Sequence, residues 1–145
     1  MSPVLPPVGV VLTDIEGTTT SLSFVKDALF PYARTRMPAF LSQHARTPQV
    51  ASVLAEVAAL SGVAADDLAG LSAVLQQWID QDRKVQPLKT LQGLMWEEGY
   101  RDGALQGAIF DDAARALRAW HAEGFRLAVY SSGSVLAQKL LFGNT

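Results

Sequence analysis

Asp14 and Glu16 stand either side of a single residue, directly after the short apolar run Val8-Gly9-Val10-Val11-Leu12. Two carboxylates held that close, where a strand gives way to a turn, repel one another, and a divalent cation relieves the repulsion. Magnesium suits such a pair because it takes oxygen ligands and keeps several waters. With a phosphate alongside, two carboxylates can divide covalent phosphoryl transfer between them: one attacks phosphorus and the other handles the leaving-group proton. Gly17 lets the chain turn closely past a bound group. The same residues also suit an acidic surface loop in which Asp14 or Thr18 caps the next helix.

A second candidate segment, Ser131-Ser132-Gly133-Ser134, follows the apolar run Phe125-Arg126-Leu127-Ala128-Val129-Tyr130. Hydroxyls and freed backbone N–H groups at such a place can hold phosphoryl oxygens as charge develops. The alternative is a plain strand-to-helix turn, with Gly133 relaxing the backbone and Ser134 capping the helix.

The elements that must position these groups follow from the pattern around them. Val8 to Leu12 is β-branched and bounded by Pro6-Pro7, which predicts a strand buried on both faces. From about Phe24 to Gly107 the pattern is helical, with polar breaks at Ser61-Gly62 and Gln86-Pro87. Within it, Gln49 to Leu60 places Val50, Val53, Leu54 and Val57 on one helical face, and Asp66 to Ile79 does the same with Leu68, Leu71, Leu75, Trp78 and Ile79. A further helix is expected from Asp111 to Glu123, ended by Gly124. Next come the second strand and a helical run into Leu140-Leu141-Phe142. Strand, helix and strand in this order predict a parallel sheet that brings both candidate segments to one rim.

Composition narrows the function classes. The 145 residues are 49% hydrophobic and 18% charged, with a net charge of -2, so there is no basic field for nucleic acid. With no cysteine, thiolate metal sites and cysteine nucleophiles are excluded, and any metal must sit on oxygen or histidine ligands. The start lacks a basic flank and a long apolar segment, and no stretch matches a membrane span, so a cytoplasmic protein is expected. His44 and His121 each stand alone in polar helical settings and suit the surface, and Lys139 suits an outer helix face.

The string Val10-Val11-Leu12-Thr13-Asp14-Ile15-Glu16-Gly17-Thr18-Thr19-Thr20 resembles the first motif of the enolase-phosphatases, a branch of the haloacid dehalogenase superfamily acting in methionine salvage. Phe24-Val25-Lys26-Asp27, Leu29-Phe30-Pro31-Tyr32, Asp82-Arg83-Lys84, Leu88-Lys89-Thr90-Leu91-Gln92-Gly93, Trp96 and Tyr130-Ser131-Ser132-Gly133-Ser134-Val135 extend the resemblance over essentially the whole sequence. It implies an α/β fold: a haloacid dehalogenase-like, Rossmann-type parallel-sheet core, incomplete here, from residues 1–21 and 108–145, with a helical cap from 22–107. Asp14 would be the nucleophile and a Mg2+ ligand. Glu16 would be the general acid and base and a second metal contact. Ser131 and Ser132 would hold the phosphate or substrate.

The implied substrate is the small molecule 2,3-diketo-5-methylthiopentyl 1-phosphate, enolised and then dephosphorylated to an acireductone by a monomeric enzyme, with neither nucleic acid nor membrane as partner. Arg83, Lys84, Gln92 and Trp96 are candidates for contacting it from the cap, or else for packing within the cap. Two further family motifs, a lysine and a downstream acidic segment, do not occur before Thr145. The resemblance therefore implies a C-terminally truncated form with little or no activity of its own. Two other readings stay open: a phosphatase for another small phosphate ester, and a non-enzymatic remnant.

Overall fold

A computed structural model describes residues 9–15, 18–107, 109–131 and 134–144. Strand β1 (Val10–Thr13) is followed by a single helical turn α1 (Leu22–Phe24) and a π-helical turn (Val25–Leu29). Four helices come next, α2 (Phe30–His44), α3 (Pro48–Ser61), α4 (Leu68–Asp80) and α5 (Gln86–Arg101). Helix α6 (Asp111–Ala122), strand β2 (Arg126–Val129) and helix α7 (Val135–Gly143) complete the order.

Helices α2 to α5 share the main apolar core. The face expected on α3, Val50, Val53, Leu54 and Val57, is buried in full. Leu71, Leu75, Trp78 and Ile79 of α4 are buried against it, joined by Met37 and Leu41 of α2 and Leu88 and Leu91 of α5. The boundaries have local causes. Gly62 ends α3 with φ +78°, a backbone shape that costs glycine little. Helix α4 begins at Leu68 rather than Asp66, because the Asp67 carboxylate accepts a hydrogen bond from the Gly70 N–H at 3.0 Å and so caps it. Gln86-Pro87 proves to be the first turn of α5 rather than a break, a place where proline's missing N–H costs nothing.

Strands β1 and β2 pair in parallel, with Val10 opposite Arg126 and Thr13 opposite Val129. Helix α6 leads into β2 and packs on it, ending before Gly124, whose φ is +91°. The expectation of a β1 strand buried on both faces is wrong: Val10 is 53% and Leu12 64% exposed. Among the described residues the sheet has two strands, and α6 has no buried residue, so nothing seals the side of the sheet that carries Val10 and Leu12. The apolar centre of the molecule lies in its helices.

A second, smaller cluster joins those helices to the strand region. Leu29, Trp96, Tyr100 and Leu105 are buried together, with Ala137 and Leu140 of α7 packed against them. Helices α5 and α7 approach closely at Gly93, where an added Cβ would lie 3.3 Å from a methyl of Leu136.

Candidate active site

The sheet register decides where the candidate groups fall. The ladder continues one step past the strands, since the Tyr130 N–H donates to the Thr13 carbonyl at 2.9 Å. Asp14 and Ser131 therefore leave the sheet at the same end, after adjacent strands, as the parallel arrangement predicts.

Asp14 is exposed, and its Oδ1 accepts the Ile15 N–H at 2.7 Å. Its carbonyl accepts the hydroxyls of Thr13 at 3.1 Å and Thr19 at 3.3 Å. Ile15 points inward, and its carbonyl accepts the N–H groups of Thr18, Thr19 and Thr20 at 3.2, 3.0 and 3.1 Å. Thr19 and Thr20 are buried, and the Thr19 carbonyl takes the Phe110 N–H at 2.8 Å. The loop is thus wound around a buried isoleucine and tied to the segment before α6, while its carboxylate stays open to solvent. Neither Asp14 nor Thr18 caps the next helix; the Ser21 hydroxyl does so, accepting the Phe24 N–H at 3.1 Å.

Ser131 is half-buried at the end of β2. Ser134 is a helix cap, its hydroxyl accepting the Ala137 N–H at 3.1 Å. Glu16, Gly17, Ser132 and Gly133 lie outside the described residues.

Beside this rim lies a cavity of about 100 Å³. Ile15 forms part of its wall, with Phe24, Val25 and Leu29 on one side, Leu88, Lys89, Gln92 and Trp96 of α5 on another, and Ser134, Ala137, Gln138 and Leu141 on a third. Arg83, Lys84, Gln92 and Trp96, the four residues singled out as substrate contacts or cap packing, all line it. Their surroundings are those of a wall: Gln92 is buried, the Arg83 guanidinium lies 5.0 Å from the centre of the Trp78 ring, and the Trp96 indole N–H donates to the Leu29 carbonyl at 2.9 Å. Asp82, at the start of the turn that carries Arg83 and Lys84, has φ +52°. Sequence reasoning did not single out Lys89, Ser134 or Gln138 as lining residues. A signal for the α5 wall lay unused in its spacing, since Leu88, Gln92 and Trp96 recur every four residues and so share a face.

The residues set aside stay at the surface. His44 Nε2 meets Glu98 Oε1 at 2.9 Å and its ring lies 4.6 Å from that of Phe40, while His121 and Lys139 are exposed. Among the described residues no three His, Cys, Asp or Glu side chains gather as a metal cage, and no helix is long and apolar enough to cross a membrane. Among the described residues of the rim, Asp14 and Ser131 offer oxygen atoms as ligands. Oxygen ligands suit a hard cation.

The chain aligns over 94% of its length, at 36% identity and a TM-score of 0.76, with the crystal structure of the UTR4 protein (Unknown transcript 4 protein) of Saccharomyces cerevisiae, covering 57% of that chain. The architecture is α/β and haloacid dehalogenase-like: part of a Rossmann-type parallel core with a helical cap inserted after the first strand. No protein-family model matches the chain. It is 57% identical over 135 residues to the enolase-phosphatase E1 of Methylococcus capsulatus and 56% identical over 133 residues to that of Pseudomonas aeruginosa, alignments that take in 93% and 92% of the chain. A third relative, the enolase-phosphatase E1 of Thioalkalivibrio sulfidiphilus, is 55% identical over 136 residues. The chain is similar to these enolase-phosphatases over 92–94% of its own length, and it spans about 60% of theirs.

Proposed function

We propose that this chain carries the nucleophile and phosphate-holding groups of an enolase-phosphatase that acts on 2,3-diketo-5-methylthiopentyl 1-phosphate. The observation that supports this is the parallel register of β1 and β2, which brings the segments of Asp14 and Ser131 to one end of the sheet, near a cavity that Ile15 and Ser134 help to line. Residues 1–21 and 108–145 serve as the core and 22–107 as a cap that shields the reacting ester from water.

An Asp14 carboxylate oxygen bonds to phosphorus as the ester P–O bond breaks, and Glu16 gives a proton to the departing oxygen. Glu16 then takes a proton from the water that attacks phosphorus, which frees inorganic phosphate and restores Asp14. Ser131 and Ser132 orient the phosphoryl oxygens. Asp14 and Glu16 would hold Mg2+, which supplies positive charge against the carboxylates and the phosphoryl group. The enzyme works as a monomer in the cytoplasm, and the enolisation that precedes phosphate release takes place in the same cleft.

Acid-quenched mass spectrometry after brief exposure to the ester and magnesium tests this. The peptide holding Asp14 is expected to carry one phosphoryl group, and the Asp14→Asn protein none. An unlabelled Asp14 peptide in the unmodified protein, or a label that survives Asp14→Asn, would overturn the proposal.

A further inference from the structure

The segment that leads from the Asp14 loop into the helices contains an unusual element. Residues Val25–Leu29 form a π turn, closed by the Phe30 N–H donating to the Val25 carbonyl five residues back. Such turns hold one residue more than an α turn, are rarely stable alone, and recur at functional sites. Here the turn supplies Val25 and Leu29 to the cavity, and Phe24 immediately before it lines the same wall.

The carbonyl that ends the π turn, that of Leu29, receives the indole N–H of Trp96 at 2.9 Å across 67 positions of sequence. Both side chains are buried in the smaller apolar cluster. We infer that Trp96 is a positioning residue: its N–H pins the π turn in the register that directs Phe24, Val25 and Leu29 at the cavity.

Relaxation to an ordinary α turn would remove one residue from the count and rotate everything before it by about 100° relative to α2. Phe24 and Val25 would leave the cavity wall. The rotation would also reach Ser21, which caps the turn containing Phe24, and through it the threonines wound around the Ile15 carbonyl. Trp96 thereby links α5 to the shape of the pocket and to the approach to Asp14. This role rests on the functional reading only in making the cavity the seat of a phosphate ester's alkyl part.

The test replaces Trp96 with 3-benzothienylalanine, which keeps the ring shape and loses only the N–H, and separately makes Trp96→Phe. Amide hydrogen exchange over residues 24–30 is expected to quicken about 5-fold in both, the loss that one hydrogen bond of about 1 kcal/mol implies, with α3 unchanged. Calorimetric titration in magnesium is expected to show pentylphosphonate binding weakened by a similar factor and methylphosphonate binding unchanged, a split that general loosening would not produce. Unchanged exchange in the benzothienylalanine protein, or equal weakening of both phosphonates, would overturn the inference. Should neither phosphonate bind the unmodified protein, the functional reading falls and the exchange result alone decides whether Trp96 holds the turn.

Discussion

The Tyr130 N–H donates to the Thr13 carbonyl at 2.9 Å, one step beyond the last paired residues of β1 and β2. This bond carries the ladder to the brink of both candidate segments, with Asp14 falling opposite Tyr130 and Ser131 one residue further on. The Tyr130 side chain contributes little packing, since it is 79% exposed. Tyr130→Pro, which removes the N–H, should therefore cost about 1 kcal/mol and weaken binding of phosphate mimics. Tyr130→Ala should change stability by no more than about 0.5 kcal/mol. Urea denaturation of the two variants checks the contrast, and equal losses would show that the side chain, not the bond, matters.

Apolar residues in the helices and in the strands should differ sharply in cost. Leu75 is fully buried, so Leu75→Ala should destabilise by about 2–5 kcal/mol through lost transfer energy and a residual cavity. Leu12, 64% exposed on β1, should accept lysine within about 0.5 kcal/mol, and Leu12→Lys should lessen self-association by charging an open apolar face. Thermal melts and light scattering on both variants decide the matter.

Tyr100 gives the protein an alkaline signature. Its hydroxyl is buried with no hydrogen-bond partner among the described residues, and burial pushes the phenol up to about 12 from an ordinary value of 10. The unfolded chain loses this proton first, so the contribution to stability is complete below pH 10 and falls as pH climbs from 10 towards 12. Tyr100→Phe should flatten that fall, and at neutral pH it should cost little, because it deletes an unpaired polar atom. Denaturation midpoints from pH 8 to pH 11.5, in small steps, measure it.

Arg34 and Asp80 show a weaker pH effect of the opposite sense. The Asp80 carboxylate accepts Nε of Arg34 at 2.7 Å and Nη2 at 3.1 Å, and that hydrogen bonding holds its pKa below the usual value against the opposing effect of desolvation. Whatever stability the pair adds is present above the ordinary carboxylate pKa and fades as acid protonates Asp80. Both side chains are about half exposed, so salt should erase the difference between the parent protein and Arg34→Gln.

The helices were legible because burial repeats with the helix period: Val50, Val53, Leu54 and Val57 reveal their face without knowledge of what covers it. The shared rim of Asp14 and Ser131 was legible because each follows a short apolar run, and parallel strands place such ends together. The burial of β1 was misread for a physical reason. An apolar strand looks the same whether or not other elements cover its faces, and Val10 and Leu12 stand exposed here. The cavity was illegible as a whole, because Arg83, Gln92 and Trp96 converge with Ile15 only through packing between distant segments. The π turn leaves no periodic trace over five residues. Glu16 and Ser132, read from the sequence as partners of Asp14 and Ser131, lie outside the described residues.

Asp14, at the sheet end that it shares with the Ser131 segment, is the residue we propose to receive a phosphoryl group. Titration of the protein with vanadate, followed by vanadium-51 NMR with and without magnesium, tests it most directly. Binding should require magnesium and be lost in Asp14→Asn while the helical circular dichroism spectrum stays unchanged. Vanadate binding that persists in folded Asp14→Asn, or no binding to the unmodified protein with magnesium present, would contradict it.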